Sequence, residues 1–305
     1  MVSVRLGAGV LAAIVALSAG CGGRSKSSAA PASGALQVVA AENFWGSIAS
    51  QLGGSRVQVT SVIASPATDP HDYEPTAADA RTIAGARMEI QNGIGYDPWV
   101  QKLISANPVS GRIVLTAGDL VGIKPGGNPH RWYSPTDVQL MIDAIVQDYD
   151  KLDPKDADYY AQQKTRFETK GLARYKQLIA RIKREYHGVQ VGASESIFAP
   201  LAQALELKLL TPPTFLKAIS EGTDPTAADK TTIDHQIADK QIRVWVFNSQ
   251  NSTPDVKRIT DAARKHGIPV TSITETLVPA SASFQAWQSH QLQAVAAALA
   301  QGTGR

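Results

Sequence analysis

The chain has 305 residues, enough for two domains of ordinary size that each bury their own hydrophobic core. Hydrophobic residues make up 43% and charged residues 19%, which is the composition of an ordinary globular protein. The formal net charge of +3 is small for this length, and no patch interleaves aromatic with basic residues, so nucleic acid is excluded as an expected partner.

Residues 1–20 have the features of a secretory signal peptide. Arg5 precedes an apolar run at residues 10–17, which is too short to span a bilayer as a lasting helix. The segment that follows, residues 21–35, is rich in glycine and serine and too polar to fold, so we predict a flexible linker there. The globular part of the protein is therefore expected outside the cell membrane.

Cys21, the only cysteine of the chain, stands at the junction between signal peptide and linker. The small residues Ala19 and Gly20 before it resemble a bacterial lipobox, although Ser18 stands where an aliphatic residue is usual. We expect Cys21 to carry a lipid that anchors the protein to the membrane; the alternative is ordinary signal cleavage that leaves a free thiol. A single cysteine also excludes disulfides within the chain, so a metal site must use histidine, carboxylate or water.

Strands and helices alternate through residues 36–152, which we predict to form an N-terminal lobe. Short β-branched runs predict strands at residues 35–41, 57–63, 88–93 and 112–116, with helical patterns between them. Such alternation predicts a mostly parallel sheet flanked by helices, with binding loops at the carboxyl ends of the strands.

Two loops of this lobe each place a single histidine directly after a proline. His71 lies in SPATDPHDYEPT (residues 65–76), and His130 lies in GGNPHRWYSPTD (residues 126–137). Ser134 and the proline after it predict a helix start, so the position of His130 is fixed by a packed helix. One loop histidine is most often a surface residue, whereas two in matching rigid frames favour a pair of prepositioned metal ligands.

Residues 153–187 are predicted to form one long helix that joins two lobes. From Asp156 to Tyr186 the segment lacks proline and has Gly171 as its single glycine, which corresponds to a rigid helix of roughly 45 Å. Its many charges favour a solvated face. The alternation of strands and helices resumes in residues 188–305, which we predict to be the C-terminal lobe.

Two glutamates follow predicted strands of the C-terminal lobe. Glu195 comes directly after the strand at residues 188–193, and Glu275 follows the strand at residues 268–273. A divalent ion held by two imidazoles also favours carboxylates, which balance its charge and are hard oxygen donors. Glu195 could instead favour a helix dipole and Glu275 could cap a turn, so these alternatives stay open at this point.

The two proline-histidine motifs and the two glutamates resemble those of the substrate-binding proteins of zinc and manganese ABC importers. In that family a Pro-His-x-Tyr-Glu motif carries one metal ligand, matched by PHDYE at His71, and a Pro-His-x-Trp motif carries a second, matched by PHRWYSP at His130. The third ligand follows the first strand of the second lobe, matched by Glu195. The fourth is usually an aspartate after the last strand, matched by Glu275.

The resemblance implies an α/β fold of two lobes joined by one long rigid helix, with the metal site in the inter-lobe cleft. It implies a monomer that carries Zn²⁺ or Mn²⁺ as the transported ligand, the two ranked equally. The protein is expected to hand this ion to an ABC permease in the membrane, without catalytic turnover.

Four residues beside the histidines are also interpreted through this resemblance. Tyr73 and Trp132 are expected to wall the site, and Glu74 is expected to accept a hydrogen bond from a ligand histidine or a loop amide. Arg131 stands beside His130 where the family often has an apolar residue, and we expect its side chain to point away from the site.

Two other functions stay open. A lipid-tethered adhesin or scaffold with a degenerate metal site is compatible with the departures at Arg131 and at Glu275, which is one methylene longer than the usual aspartate. A secreted metallohydrolase would need an open coordination position and a general base beside bound water. The chain has neither an HExxH nor a GxSxG motif, which disfavours the hydrolase.

Overall fold

The structure is a computed structural model that describes residues 34–68, 70 and 73–305. The predicted signal peptide, the lipidation site Cys21 and nearly all of the predicted linker lie outside the described residues, and so does His71. No helix in the described part of the chain has an apolar run of the length that a bilayer requires.

Four parallel strands form the sheet of the N-terminal lobe. They are β1 (Leu36–Glu42), β2 (Val57–Ile63), β3 (Met88–Gln91) and β4 (Ile113–Thr116), in the spatial order β2-β1-β3-β4. The central strand β3 is buried along its whole length, as expected for a parallel sheet covered on both faces. Because all four strands run the same way, their carboxyl ends open on one side of the lobe.

Helices follow each of these strands. They are α1 (Asn43–Gly53), α2 (Ala77–Ala84), α3 (Pro98–Ala106), α4 (Ala117–Val121) and α5 (Pro135–Leu152). Ser134 caps α5 as predicted, since its hydroxyl accepts a hydrogen bond from the backbone N–H of Asp137. Met141, Ile142 and Ile145 of α5 are fully buried, so the packing of this helix anchors the loop that carries His130.

The predicted linking helix is present as two helices rather than one. Its parts α6 (Ala157–Arg166) and α7 (Ala173–Tyr186) are separated by a π-helical turn, in which the N–H of Leu172 donates to the carbonyl of Phe167 at 2.8 Å. A side-chain carbon on Gly171 would lie 2.9 Å from the Phe167 ring, too close for any residue larger than glycine. The single glycine of the predicted helix therefore marks the break.

The C-terminal lobe contains a second parallel sheet. Its strands β5 (Gln190–Ala193), β6 (Lys208–Leu209), β7 (Trp245–Asn248) and β8 (Val270–Ile273) lie in the order β6-β5-β7-β8. The accompanying helices are α8 (Ala199–Ala204), α9 (Pro213–Ser220), α10 (Ala227–Ala238), α11 (Pro254–Lys265) and α12 (Phe284–Thr303). Two parallel sheets flanked by helices confirm the predicted two-lobed α/β fold.

Helix α9 begins in a proline-containing stretch, directly after Pro212. In the structure, Pro213 takes the first helical position, where a missing N–H leaves no hydrogen bond unmade. Phe215, Leu216 and Ile219 then bury the apolar face of α9. Tertiary packing therefore decides the conformation of this segment.

One hydrophobic cluster continues from the N-terminal lobe into the C-terminal lobe. It includes Phe44 and Trp132 from the first lobe and Leu201 and Leu292 from the second, all fully buried. Gln51 of α1 and Gln285 of α12 also exchange two side-chain hydrogen bonds, of 3.1 and 2.6 Å. This shared packing joins the two lobes through one continuous hydrophobic core.

Candidate metal centre

The sheet of the C-terminal lobe brings Glu195 and Glu275 to one edge. Glu195 lies two residues beyond the end of β5, and Glu275 lies two residues beyond the end of β8. Between those strands runs β7, which pairs with both and ends at Asn248. The two glutamates therefore stand on either side of Asn248, at the carboxyl ends of parallel strands.

His130 reaches the same place from the N-terminal lobe, in the loop between α4 and α5. The amide of Asn92, just after β3, donates a 2.9 Å hydrogen bond to the carbonyl of Pro129, the residue before this histidine. Asn92 is held in turn by the indole N–H of Trp45, at 3.2 Å from its Oδ1. The end of β3 thereby fixes the backbone that presents His130.

The three described members of the predicted ligand set converge. One donor atom from each of His130, Glu195 and Glu275 lies within 4.8 Å of the other two. Donors around a tetrahedral ion with bonds of about 2.1 Å lie about 3.4 Å apart, so only a small contraction brings these atoms to coordination distance. His130 and Glu195 are 1% exposed and Glu275 is 9% exposed, which makes this a closed site rather than a surface cluster.

Hydrogen bonds set the tautomer of His130. Its Nδ1 lies 2.9 Å from Oδ1 of Asn128 and 3.3 Å from the hydroxyl of Ser196. The side-chain amide of Asn128 donates to the carbonyl of Ser196 at 2.7 Å, which identifies its Oδ1 as the acceptor that faces the ring. The proton of the neutral imidazole is therefore on Nδ1, and Nε2 is the nitrogen that carries the lone pair.

Neutral donors hold both carboxylates. Asn248 donates to Oε1 of Glu195 at 2.9 Å and to Oε1 of Glu275 at 2.8 Å. The amide of Asn251 donates to Oε2 of Glu195 at 2.7 Å, and the hydroxyl of Tyr96 donates to Oε2 of Glu275 at 3.1 Å. Since these donors carry no charge, they orient the carboxylates without neutralising them.

Aromatic side chains lie beside His130. Trp132 is fully buried, meets the His130 ring edge-on with centroids 5.2 Å apart, and stacks on Phe44 at 4.0 Å. Burial raises the pKa of the neighbouring Tyr133 well above its ordinary value, and the charges of Glu275 and Glu195 raise it further. The site is therefore enclosed by aromatic rings on the side of the N-terminal lobe.

Tyr73 and Glu74 lie on the flank of the N-terminal lobe that carries α2 and α3. The hydroxyl of Tyr73 donates to Asp79 at 2.8 Å, and its ring packs edge-on against Trp99 with centroids 4.9 Å apart. Glu74 is exposed. Their predicted roles around His71 stay predictions, because that residue lies outside the described part of the chain.

Arg131 points away from the site, as expected. Its guanidinium forms a salt bridge with Asp137 in the first turn of α5, with Nε 2.7 Å from Oδ2. The carboxylate of Asp137 is therefore held by Arg131, while its backbone N–H donates to the Ser134 hydroxyl. The cation beside His130 is therefore neutralised locally.

Several residues that position the site were not singled out from the sequence. They are Tyr96, Asn128, Ser196, Asn248 and Asn251. Asn248 is the last residue of β7, and Glu195 follows β5, so the strand-end argument that found Glu195 applies to Asn248 as well. The others lie in loops whose polar residues are equally typical of ordinary turns, and the sequence contains no signal that separates the two roles.

A buried acidic cluster lies beneath the loop of Asn92. Burial raises the pKa of Glu42 and of Glu89 well above the ordinary value, and the neighbouring Asp97 raises both further. Burial also raises the pKa of Asp97 to about 6, although its carboxylate accepts hydrogen bonds from the backbone N–H groups of Asn92 and Gly93. The cluster thus connects the interior of the N-terminal lobe to the loop that supports His130.

A protein family matches most of the chain. The model of ZnuA, the periplasmic component A of the zinc-uptake complex, matches residues 38–298. The manganese-binding lipoprotein MntA of Halalkalibacterium halodurans is 26% identical over 160 residues, which span 50% of this chain but only 51% of that protein. MntA of Bacillus subtilis is 26% identical over 276 residues, covering 87% of this chain and 86% of the relative.

Solved structures share the fold. The manganese-bound periplasmic metal-binding protein of Candidatus Liberibacter asiaticus superimposes with a TM-score of 0.72, covering 86% of this chain and 98% of that chain. The two sequences are 21% identical. At this identity the likeness establishes the two-lobed architecture and no more.

Proposed function

The chain belongs to the ZnuA family of periplasmic zinc-uptake components, and we propose that it captures a divalent transition-metal ion outside the membrane and delivers it to an ABC-type importer. The observation that supports this proposal best is the convergence of His130, Glu195 and Glu275 from two lobes into a buried cluster. A buried pair of carboxylates beside an imidazole is costly without a cation to balance its charge.

The proposed ligands are His71, His130, Glu195 and Glu275. Two neutral imidazoles and two carboxylates match the charge of a divalent ion, and the neutral donors around the carboxylates leave that balance unchanged. We propose Zn²⁺ or Mn²⁺ as the cargo. Zinc binds more tightly at most nitrogen and oxygen sites, so the supply of each metal decides which one is carried.

Binding would hold the lobes together, since the proposed ligands come from both. Two hydrogen bonds already cross the cleft beside them, from Tyr96 to Glu275 and from Asn128 to the carbonyl of Ser196. A permease that recognises the closed arrangement would then receive only loaded protein. Four protein ligands fill a tetrahedral shell and leave no position for the water that a metallohydrolase needs.

We further propose that Cys21 carries the lipid anchor and that the protein acts as an extracytoplasmic monomer beside its permease. The relatives include proteins named as lipoproteins, which supports the anchor. The lobes are proposed at residues 36–152 and 188–305, with residues 153–187 between them.

The decisive experiment measures the metal content of protein purified without a chelator. We expect about one equivalent of zinc or manganese in the wild type and a large loss in His71→Ala and in His130→Ala. His235→Ala is the matched control, because His235 is exposed on α10 and should leave the metal content unchanged. A raised melting temperature on adding Zn²⁺ or Mn²⁺ to metal-free wild type should disappear in the two ligand variants.

Two results would favour the other functions. A wild type that contains no metal and shows no thermal shift with either ion would support the adhesin or scaffold. Metal-dependent hydrolysis of a peptide or ester that His130→Ala abolishes would support the hydrolase.

A further inference from the structure

Asn248 lies at the carboxyl end of the C-terminal sheet, between the strands that lead to the two glutamates. It is the last residue of β7, which lies between β5 and β8, the strands that lead to Glu195 and Glu275. Its side chain is fully buried. A residue at this position faces both carboxylates because the parallel strands end together at one edge.

One amide nitrogen connects the two carboxylates. The Nδ2 of Asn248 lies 2.9 Å from Oε1 of Glu195 and 2.8 Å from Oε1 of Glu275, so each of its two hydrogens serves one carboxylate. Among the hydrogen bonds of the described residues, this is the only side chain that donates to both. The amide therefore replaces a direct approach of two like charges with two favourable contacts.

The orientation of this amide is fixed. Oδ1 of Asn248 accepts a hydrogen bond from the backbone N–H of Gln250 at 2.9 Å. The backbone N–H of Asn248 donates to the hydroxyl of Ser194 at 3.0 Å. A flipped amide would direct its oxygen at two carboxylates and its NH₂ at an N–H group. The donor side of Asn248 is thus held toward the carboxylates before any ion arrives.

The other donors act on one carboxylate each. Asn251 contacts Glu195 and the carbonyl of Ile219, and Tyr96 contacts Glu275. Neither can set the distance between the two carboxylates. That distance determines whether one ion can reach both, because coordination geometry tolerates errors of only a few tenths of an ångström.

We propose that Asn248 is the positioning residue that fixes Glu195 and Glu275 as one preformed pair for a divalent cation. The proposal rests on the metal-binding function proposed above. Asn248 does not coordinate the ion itself. Its side-chain nitrogen has no lone pair to offer, and its side-chain oxygen faces the backbone N–H of Gln250, from which it accepts a hydrogen bond. Its contribution is to hold both carboxylates in place, so that neither side chain has to be reoriented when the ion binds.

The test measures the affinity of metal-free protein for Zn²⁺ with a competing chromophoric chelator, and for Mn²⁺ by the loss of the free-ion EPR signal. Asn248→Ala is expected to lower both affinities by about 10- to 100-fold, the range seen when an outer-shell partner of a metal ligand is removed. Asn251→Ala is the matched control, because it removes one donor and keeps the link between the carboxylates; its loss should be several-fold smaller.

A double-mutant cycle distinguishes the pairing of the carboxylates from a merely structural role of Asn248. If Asn248 acts by pairing the carboxylates, Asn248→Ala should cost much less affinity in a Glu275→Ala background, where no pair remains to be positioned. Equal losses in both backgrounds would overturn the proposal. Asn248→Thr serves if the alanine variant does not fold, since threonine suits a strand and keeps a single donor. It should show an intermediate loss.

The two proposals fail in different ways. A wild type that binds neither ion refutes metal capture itself. A wild type that binds while Asn248→Ala and Asn248→Thr bind within threefold of it leaves metal capture intact and overturns the positioning role.

Discussion

The two lobes hold their parts of the candidate site in different ways. In the C-terminal lobe, Glu195 and Glu275 follow strand ends and receive hydrogen bonds from side-chain amides of the same lobe. In the N-terminal lobe, His130 lies in a loop, and its ring contacts Asn128 of that loop and Ser196 across the cleft. The carboxylate pair is therefore held mainly from its own lobe, with Tyr96 of the N-terminal lobe as a further donor to Glu275, and the His130 ring contacts one named residue of each lobe.

This difference predicts different consequences of substitution in the two lobes. The donors to the carboxylate pair come mainly from one sheet edge, and the ring of His130 is hydrogen-bonded to residues on both sides of the cleft. Changes in the C-terminal lobe should act through charge and ligand spacing. Substitutions in the loop of His130 should act through the contact between the lobes. A second side chain that restores this contact should restore metal affinity.

The largest effect is expected from removing one charge of the carboxylate pair. Glu195→Gln or Glu275→Gln keeps the shape of the side chain and should lower the affinity for Zn²⁺ by more than about 100-fold, since even outer-shell partners cost 10- to 100-fold. Glu221→Gln, at an exposed glutamate after α9, is the control and should bind as wild type does. Chelator competition measures all three, and a loss below tenfold in both site variants would contradict their role as ligands.

The next effect concerns the tautomer of His130. Asn128→Ala removes the acceptor of the Nδ1 proton and the bond to the carbonyl of Ser196, and should lower metal affinity by about 10- to 100-fold. Asn128→Asp keeps an acceptor beside Nδ1, so it should lose less than tenfold. Isothermal titration distinguishes the two. If both variants lose the same affinity, the contact across the cleft rather than the tautomer determines the position of the ring.

The same comparison explains what the sequence could predict. Glu195 and Glu275 were identifiable because acids are scarce after strands in the C-terminal lobe and because parallel strands present their carboxyl ends together. The pairing by Asn248 was not, because it requires β7 to lie beside β5, and β6, which comes between them in the chain, to lie at the outer edge of the sheet. Sequence gives the elements that end at the site, and the order of strands decides which side chains meet there.

The linking helix differs from the sequence prediction at one place. Residues 167–171 form a π-helical turn between α6 and α7, and a side-chain carbon on Gly171 would lie 2.9 Å from the Phe167 ring. Helical periodicity alone does not show such a turn.

A smaller effect is expected from the hydrogen bond between Tyr96 and Glu275. Tyr96→Phe removes this hydrogen bond and leaves the other contacts across the cleft in place. The ring stays packed near Trp132, with centroids 4.9 Å apart. A hydrogen bond to a charged carboxylate contributes about 1.5 kcal/mol or more, so metal affinity should fall about 10-fold. Stopped-flow release of Zn²⁺ to a chelator should show that the change is in the dissociation rate. An unchanged rate would mean that the bond does not help to hold the lobes together.

The smallest effect on binding, and a distinct effect on stability, is expected from the buried acids of the N-terminal lobe. Burial first, and Asp97 second, raise the pKa of Glu89 in the folded protein, although Arg112 partly opposes the shift. Above its unfolded pKa, near 4.5, the folded state therefore binds more protons than the unfolded state, so the free energy of unfolding falls as pH rises through the folded pKa. The cluster should cost stability at neutral and alkaline pH.

Glu89→Gln tests this sign, because it replaces the ionisable group with a neutral one of the same shape. Below pH 4.5, the unfolded value, the melting temperatures of the metal-free variant and wild type should agree, because the carboxyl group is protonated in both the folded and the unfolded state. At pH 8 the variant should melt higher, by about 2–4 °C for each kcal/mol of burial cost that the substitution relieves. Glu221→Gln should show no such divergence, and Zn²⁺ affinity should be unchanged in both. A variant that melts lower at pH 8 would mean that the ionised carboxylate is stabilised by Arg112 more than it is destabilised by burial, and the cluster would then be a structural ion pair rather than a proton-binding group.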